Sequence, residues 1–362
     1  MKKRTAAFVA LIFLGISCSG STGDDSSSIA SPPSPTTTTA VAPTATTELP
    51  PTPTVTVETP SAAPTPTVTE TRNEVQAAIV IHLDPNGHQH QHATVQNWER
   101  LINAVNAAER HGHKLTLLMS ADWSELIEES PQRKNTLEDW ITDGHEVGFH
   151  LHTCAHVSPD GYRDVQHRCK GAENRGSVNV AFNKVHALLN GFGAEVMTAA
   201  QGPNTSGTFR SAEWQNGVVF ATGVMKDNTD GHSEHFHRFI TLPRCTGDYG
   251  NNYSGSQSKW PVAEMGHAQL NVGAFTTNQS QNNLAALEAE IQLLKGGRHS
   301  ELNLYLGVVF HAREYAESPR QTTLDSYDTD KDYLDAVFSL FSAAEVLVLP
   351  VREILSADNP CG

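Results

Sequence analysis

The chain has 362 residues, with 40 acidic side chains against 25 basic ones and a net charge of −15. That balance excludes a protein built to wrap a nucleic-acid backbone, which needs clustered Lys and Arg. The hydrophobic share is 38 % without Gly, below the ~45–50 % of ordinary globular chains, a figure that also counts Gly, so part of the sequence is expected to need no core. The 18 histidines all lie between His82 and His311, a confinement that an even scatter does not produce.

Lys2, Lys3 and Arg4 precede an apolar run over residues 6–16. This is the layout of an export signal, too short to cross a bilayer unaided. The run ends in Leu14-Gly15-Ile16-Ser17-Cys18, which resembles a bacterial lipobox. Residues 1–17 are therefore expected to be removed and Cys18 to be lipidated, placing the protein at the cell envelope on an N-terminal lipid anchor. Residues 18–75 read as a tether: over 31–71 there are 10 Pro and 15 Thr, little to bury and many φ-locked positions. Extended at ~3.1 Å per residue, such a stalk reaches on the order of 100 Å.

From residue 76 to 362 strand-like and helix-like patterns alternate. Residues 77–83 form a continuous apolar run of buried-strand type. Trp98, Leu101, Ile102, Val105 and Ala108 follow at helical spacing. Further strands are expected at 115–119, 145–152, 196–199, 218–222, 239–242, 303–310 and 346–349. Further helices are expected around Leu137–Ile141, Leu284–Leu294 and Tyr333–Phe341. Residues 158–180 and 223–265 lack periodicity and read as long loops. Repeated strand-then-helix order, about seven units over one region of this length, predicts an α/β fold with a parallel sheet and outer helices closed as a barrel in a single domain, expected to be monomeric.

Four cysteines fall in this domain: Cys154, Cys169, Cys245 and Cys361. An even count in an exported protein predicts disulfides. Three pairings are possible; Cys154–Cys169, closing a short loop, with Cys245–Cys361 pinning the C-terminus, is preferred.

In parallel barrels the chemistry sits at the C-terminal strand ends. Three segments bring metal-competent groups there. Ile79-Val-Ile-His-Leu-Asp84 ends an apolar strand in a carboxylate, suited to a metal or to general-base work. Gly144-His-Glu-Val-Gly-Phe-His-Leu-His-Thr-Cys-Ala-His156 holds His150, His152 and His156. Residues two apart share a strand face and residues four apart share a helix face, so these imidazoles can converge on one cation. Tyr305-Leu-Gly-Val-Val-Phe-His311 closes another apolar strand in a histidine, placed to act as a general acid if a carboxylate orients it. His88-Gln-His-Gln-His92 adds either ligands or a solvated rim. Trp123, Trp214, Trp260 and Tyr253 fall in predicted loops, there to stack on sugar or to anchor the loops.

This order of motifs resembles the polysaccharide deacetylases (carbohydrate esterase family 4, the NodB-homology domain) over roughly 76–355, most specifically in Gly-His-Glu-Val-Gly. The resemblance implies a distorted parallel (β/α)7 barrel and a divalent metal, often Zn²⁺, in an Asp-His-His site. It also implies an aspartate base, a histidine acid on the late strand, and hydrolysis of N- or O-acetyl groups on an envelope or extracellular polysaccharide. Carried over, Asp84 stands either for the base or for the ligand, because Pro85 occupies the second aspartate's position. The metal pair reads as His150 with Cys154 where the second His belongs, or as His152 with His156, the latter preferred with His150 replacing the missing carboxylate. His311 carries over as the acid. Gln201-Gly-Pro-Asn204 matches the third motif only in part, without its Arg. The alternative is a non-catalytic surface lipoprotein that binds a glycan or zinc on the same barrel.

Overall fold

The computed structural model describes residues 74–86, 91–152, 161–163, 175–201, 218–224, 238–246, 262–270, 272, 283–297, 302–319 and 327–361. All belong to one compact unit, Val68–Gly362. Among the expectations above, the export signal, Cys18, nearly all of the tether, His156, Cys154, Cys169, His88, His90, Trp214, Trp260, Tyr253 and most of the third motif lie outside the described residues.

Seven parallel strands close on themselves: β1 (Gln76–Leu83), β2 (Thr116–Met119), β3 (Glu146–Leu151), β4 (Thr198–Gln201), β5 (Phe220–Val224), β6 (Val262–Gln269) and β7 (Tyr305–His311). Each pairs with the next, and β7 returns to β1 over Ala77↔Leu306 to His82↔His311. The expected (β/α)7 barrel is thus the observed fold. Two of its expected strands lie outside the ring. Leu347–Val348 pairs with the start of β1, and Ile240–Thr241 runs antiparallel on β7. The remaining barrel strand, β6, begins inside the stretch read as a loop. Its sequence, Val-Ala-Glu-Met-Gly-His-Ala-Gln, has no apolar run to announce it.

Among the described residues, seven α-helices pack outside or beneath the ring: α1 (Val95–Arg110), α2 (Ala121–Glu128), α3 (Pro131–Thr142), α4 (Val178–Asn190), α5 (Leu284–Lys295), α6 (Asp330–Ala343) and α7 (Val351–Ala357). Their starts follow local chemistry. Thr94 caps α1 by accepting the Asn97 N–H at 3.2 Å, and Pro131 opens α3 at the position where a missing N–H does no harm.

Side-chain alternation divides the strands between two cores. Ala77, Ile79, Ile81 and Leu83 face the helices with Leu101, Val105 and Phe338. Ala78, Val80, Leu118, Ala200, Phe220, Met265, Tyr305 and Val309 fill the barrel interior, together with Val351, Ile354 and Leu355 of α7. Two strand glycines allow the ring to close this tightly. A Cβ on Gly148 would lie 2.3 Å from the Thr198 carbonyl oxygen, and one on Gly307 would lie 2.2 Å from that of Gly266. Cys245 and Cys361 form a disulfide that ties the chain's last turn to the short strand flanking β6.

Candidate functional site

The inward parity that buries Ala78 and Val80 continues on β1 to His82 and, past the strand end, to Asp84. On β3 it runs through Gly148 to His150 and then His152; on β6 through Met265 to His267; on β7 through Val309 to His311. The apolar interior therefore gives way, at its C-terminal end, to imidazoles surrounding one carboxylate.

Asp84 is the hub. Its Oδ1 lies 3.4 Å from His150 Nε2 and 3.5 Å from His152 Nε2, and those two nitrogens are 2.9 Å apart. Its Oδ2 lies 3.6 Å from His311 Nε2 and accepts a hydrogen bond from the Arg313 guanidinium. The Trp123 indole N–H donates to the Asp84 carbonyl at 2.9 Å, so this tryptophan, read as a loop residue, is a buried member of α2 that holds the strand end.

His311 is held by Glu314, three residues on in a 3₁₀ turn (Ala312–Glu314). The carboxylate accepts the His311 backbone N–H at 2.8 Å and lies 3.0 Å from Nδ1. This is the orienting carboxylate that an acid at this position requires. The turn is tied to α1, where Arg100 donates to the Arg313 carbonyl at 3.3 Å.

His82 stacks on His150 at 4.2 Å between ring centroids and meets His267 edge-on at 5.1 Å. His267 shares a 2.7 Å hydrogen bond with Thr222. Neither was singled out from the sequence. His82 lies two residues before Asp84, and that spacing alone assigns it to the same face. Arg313 and Glu314 were likewise missed, since their roles depend on the turn after β7.

The electrostatics follow from this crowding. Burial pushes the Asp84 carboxyl up, but His311, His152, the His150 contact and Arg313 together hold it well below the usual carboxylate range. Burial drives His82 well below the ordinary imidazole value, with His150, His267 and His311 adding to it. Burial, His150 and His311 lower His267 to about 3. His311 goes the other way: burial lowers it, but Asp84 and Glu314 outweigh that and raise it.

Asp84, His150 and His152 fit a divalent cation. Their three facing atoms form a triangle with sides of 2.9, 3.4 and 3.5 Å. The point equidistant from all three lies about 1.9 Å from each, close to the ~2.0–2.2 Å of zinc–nitrogen and zinc–carboxylate bonds. Among the described residues, buried Asp84 Oδ1 has no hydrogen-bond partner of ordinary length, a condition that is costly for an anionic oxygen unless a cation meets it.

No protein-family model matches the sequence, and no curated protein is significantly similar to it. Solved structures share its fold. The Puue allantoinase superposes with a TM-score of 0.50 at 11 % identity, covering 83 % of this chain and 96 % of that one. The probable polysaccharide deacetylase from Pseudomonas aeruginosa PAO1 gives a TM-score of 0.50 at 11 % identity, covering 80 % and 94 %. At this identity the likeness is one of fold.

Proposed function

We propose that this barrel is a metal-dependent hydrolase that removes N- or O-linked acetyl groups from an envelope or extracellular polysaccharide. The observation that carries the reading is the arrangement of Asp84 between two pairs of groups: His150 and His152 on one oxygen, His311 and Arg313 on the other.

Asp84, His150 and His152 hold the cation, which in this reading is zinc. When bound there, it supplies Lewis-acid polarisation of the acyl group and acidifies a water. His311, His152 and the His150 contact, with Arg313, favour the ionised Asp84 carboxylate, and the Arg313 bond to Oδ2 leaves Oδ1 toward the imidazole pair. His311, whose charged form Asp84 and Glu314 favour against the effect of burial, delivers its Nε2 proton to the departing amine or alkoxide. In this reading the glycan reaches these groups from the C-terminal end of the ring. The apolar interior beneath (Val80, Leu118, Met265, Val309) closes the other side. The lipobox at Cys18 and the Pro/Thr tether support a lipoprotein held at the cell surface, where such a polymer is found.

The test is to purify the full chain, measure its metal content, and assay acetate release from chitin oligomers, peptidoglycan and acetylated xylan. Asp84→Asn and His152→Ala are expected to lose both metal and acetate release. His311→Ala is expected to keep one metal and lose ~10²–10⁴-fold in rate. Full rates in these variants, or a protein that takes up no metal, would refute the reading.

A second reading, a zinc- or glycan-binding lipoprotein without turnover, is favoured by Pro85, which leaves a single carboxylate where a base and a ligand are both needed. One equivalent of tightly held metal with no hydrolysis of any acetylated glycan would select it.

A further inference from the structure

We infer that the barrel mouth contains a second divalent-cation position, His82–Asp84–His311, which shares Asp84 with the first and which, when filled, takes the proton donor out of service. This rests on the reading of His311 as that donor.

The three residues each present a ligand atom within 4.8 Å of the other two. Their proximity comes from the ring closure itself: β1 and β7 are neighbours with His82 directly opposite His311, and Asp84 is two residues beyond His82 on the same face. Asp84 serves the two positions with different oxygens, Oδ1 toward His150 and His152 and Oδ2 toward His311 at 3.6 Å. One carboxylate can bridge them.

His82 is 5 % exposed, and its Nε2 has no hydrogen-bond partner among the described residues. Buried imidazole nitrogens are normally paired, and an unpaired one needs an explanation such as a bound water or ion. His311 has the second requirement of a metal-binding imidazole: a carboxylate, Glu314, on its other nitrogen at 3.0 Å. That pairing fixes the ring with Nε2 toward Asp84.

Arg313 sets the order of filling. Its guanidinium bonds Asp84 Oδ2, the oxygen the second cation needs, so that cation must displace a positive charge, whereas the first must not. Like charges a few ångströms apart at a partly buried site make the second position weaker than the first, on the order of a hundredfold. Once it is occupied, the lone pair of His311 Nε2 is engaged by the cation and the nitrogen carries no proton to give. Excess metal thus becomes an inhibitor read out through the shared carboxylate.

The experiment strips the full chain of metal and titrates it with Zn²⁺ against a competing chelator. The titration is repeated with Co²⁺ to follow its visible absorption, and acetate release is measured at each point. The wild type is expected to bind two equivalents, the second at least tenfold weaker, with activity rising over the first and falling over the second. His82→Phe keeps an aromatic face against His150 and removes the nitrogen. It is expected to bind one equivalent and to lose the inhibitory limb, with circular dichroism confirming its fold. Arg313→Gln is expected to tighten the second equivalent about tenfold without changing the count.

A wild type that binds only one equivalent up to millimolar Zn²⁺, a second equivalent that survives His82→Phe, or an Arg313→Gln chain whose second equivalent is no tighter would overturn the inference. The arms separate it from the deacetylase reading. Two equivalents with this variant pattern but no acetate release leave the site standing and remove the activity. Acetate release at one equivalent with no second one does the reverse.

Discussion

Glu314 holds His311 at two points, accepting its backbone N–H through Oε2 at 2.8 Å and meeting its Nδ1 through Oε1 at 3.0 Å. One carboxylate therefore fixes both the backbone and the ring of the residue facing Asp84. Glu314→Gln keeps the shape but removes the charge that favours the imidazolium. Such orienting groups contribute about 10–100-fold, so kcat should fall by that factor. Because the carboxylate raises His311, its removal should move the alkaline limb of the pH–rate profile to lower pH. An unchanged profile would show that Glu314 does not govern the donor.

Gly148 is required by close approach of two backbones. A methyl group there would sit 2.3 Å from the Thr198 carbonyl oxygen and 2.7 Å from Leu118 Cδ2, so β3 and β4 would have to part beneath the site. Gly148→Ala should destabilise the fold by about 1–3 kcal/mol, as overpacked cores do, and weaken first-site metal binding because His150 lies two residues along the same strand. Urea unfolding and chelator competition check the two effects separately.

Acid should weaken the metal-free protein. His82, His113, His145 and His267 are all held below the ordinary imidazole value, first by burial. The unfolded chain takes up protons near pH ~6.5 that these buried rings refuse, so stability is full above that value and declines as pH falls below it. His267, lowered to about 3, extends the decline far into the acid range. The raised carboxyls of Glu146 and Glu290 and the raised His311 act in the opposite sense and offset part of it. Urea unfolding in EDTA at pH 8, 6.5 and 5 should show a falling free energy; a flat series would contradict burial of neutral imidazoles.

The Cys245–Cys361 bond closes a separation of 116 residues. A disulfide typically contributes ~2–4 kcal/mol, more for long loops, and at roughly 2–4 °C per kcal/mol for a domain of this size its reduction should lower Tm by about 5–15 °C. Differential scanning calorimetry with and without reductant measures this directly. Metal stoichiometry should not change, because both cysteines lie away from the Asp84 cluster.

What could be read from the sequence followed one rule: a polar residue is visible when it ends an apolar run. Asp84, His150, His152 and His311 stand at such ends. His82 is enclosed within its run and His267 sits on a strand with almost no apolar content, so neither stood out, although alternation on β1 relates His82 to Asp84. The Gly-His-Glu stretch behaves differently again. His145 accepts the Leu115 N–H at 3.0 Å, and Glu146 accepts from Thr116, Thr198 and the Arg352 N–H. Those residues secure the far end of the barrel, joining β2, β3, β4 and α7. The most recognisable motif in the chain, Gly144-His-Glu-Val-Gly148, is therefore architectural, and the chemistry begins beyond it at His150 and His152.

The closure of β7 onto β1 also sets a sequence of assembly. Asp84 and Arg313 are 229 positions apart, whereas Asp84, His150 and His152 come from the first three strands. A growing chain can gather the cation-holding triad when less than half of it has been made. The proton donor, its carboxylate and the guanidinium arrive together, at the end of the last barrel strand and in the turn that follows it. In the proposed reading, chemical competence therefore waits on the end of the ring, and a chain cut short of β7 lacks the donor, its carboxylate and the guanidinium together.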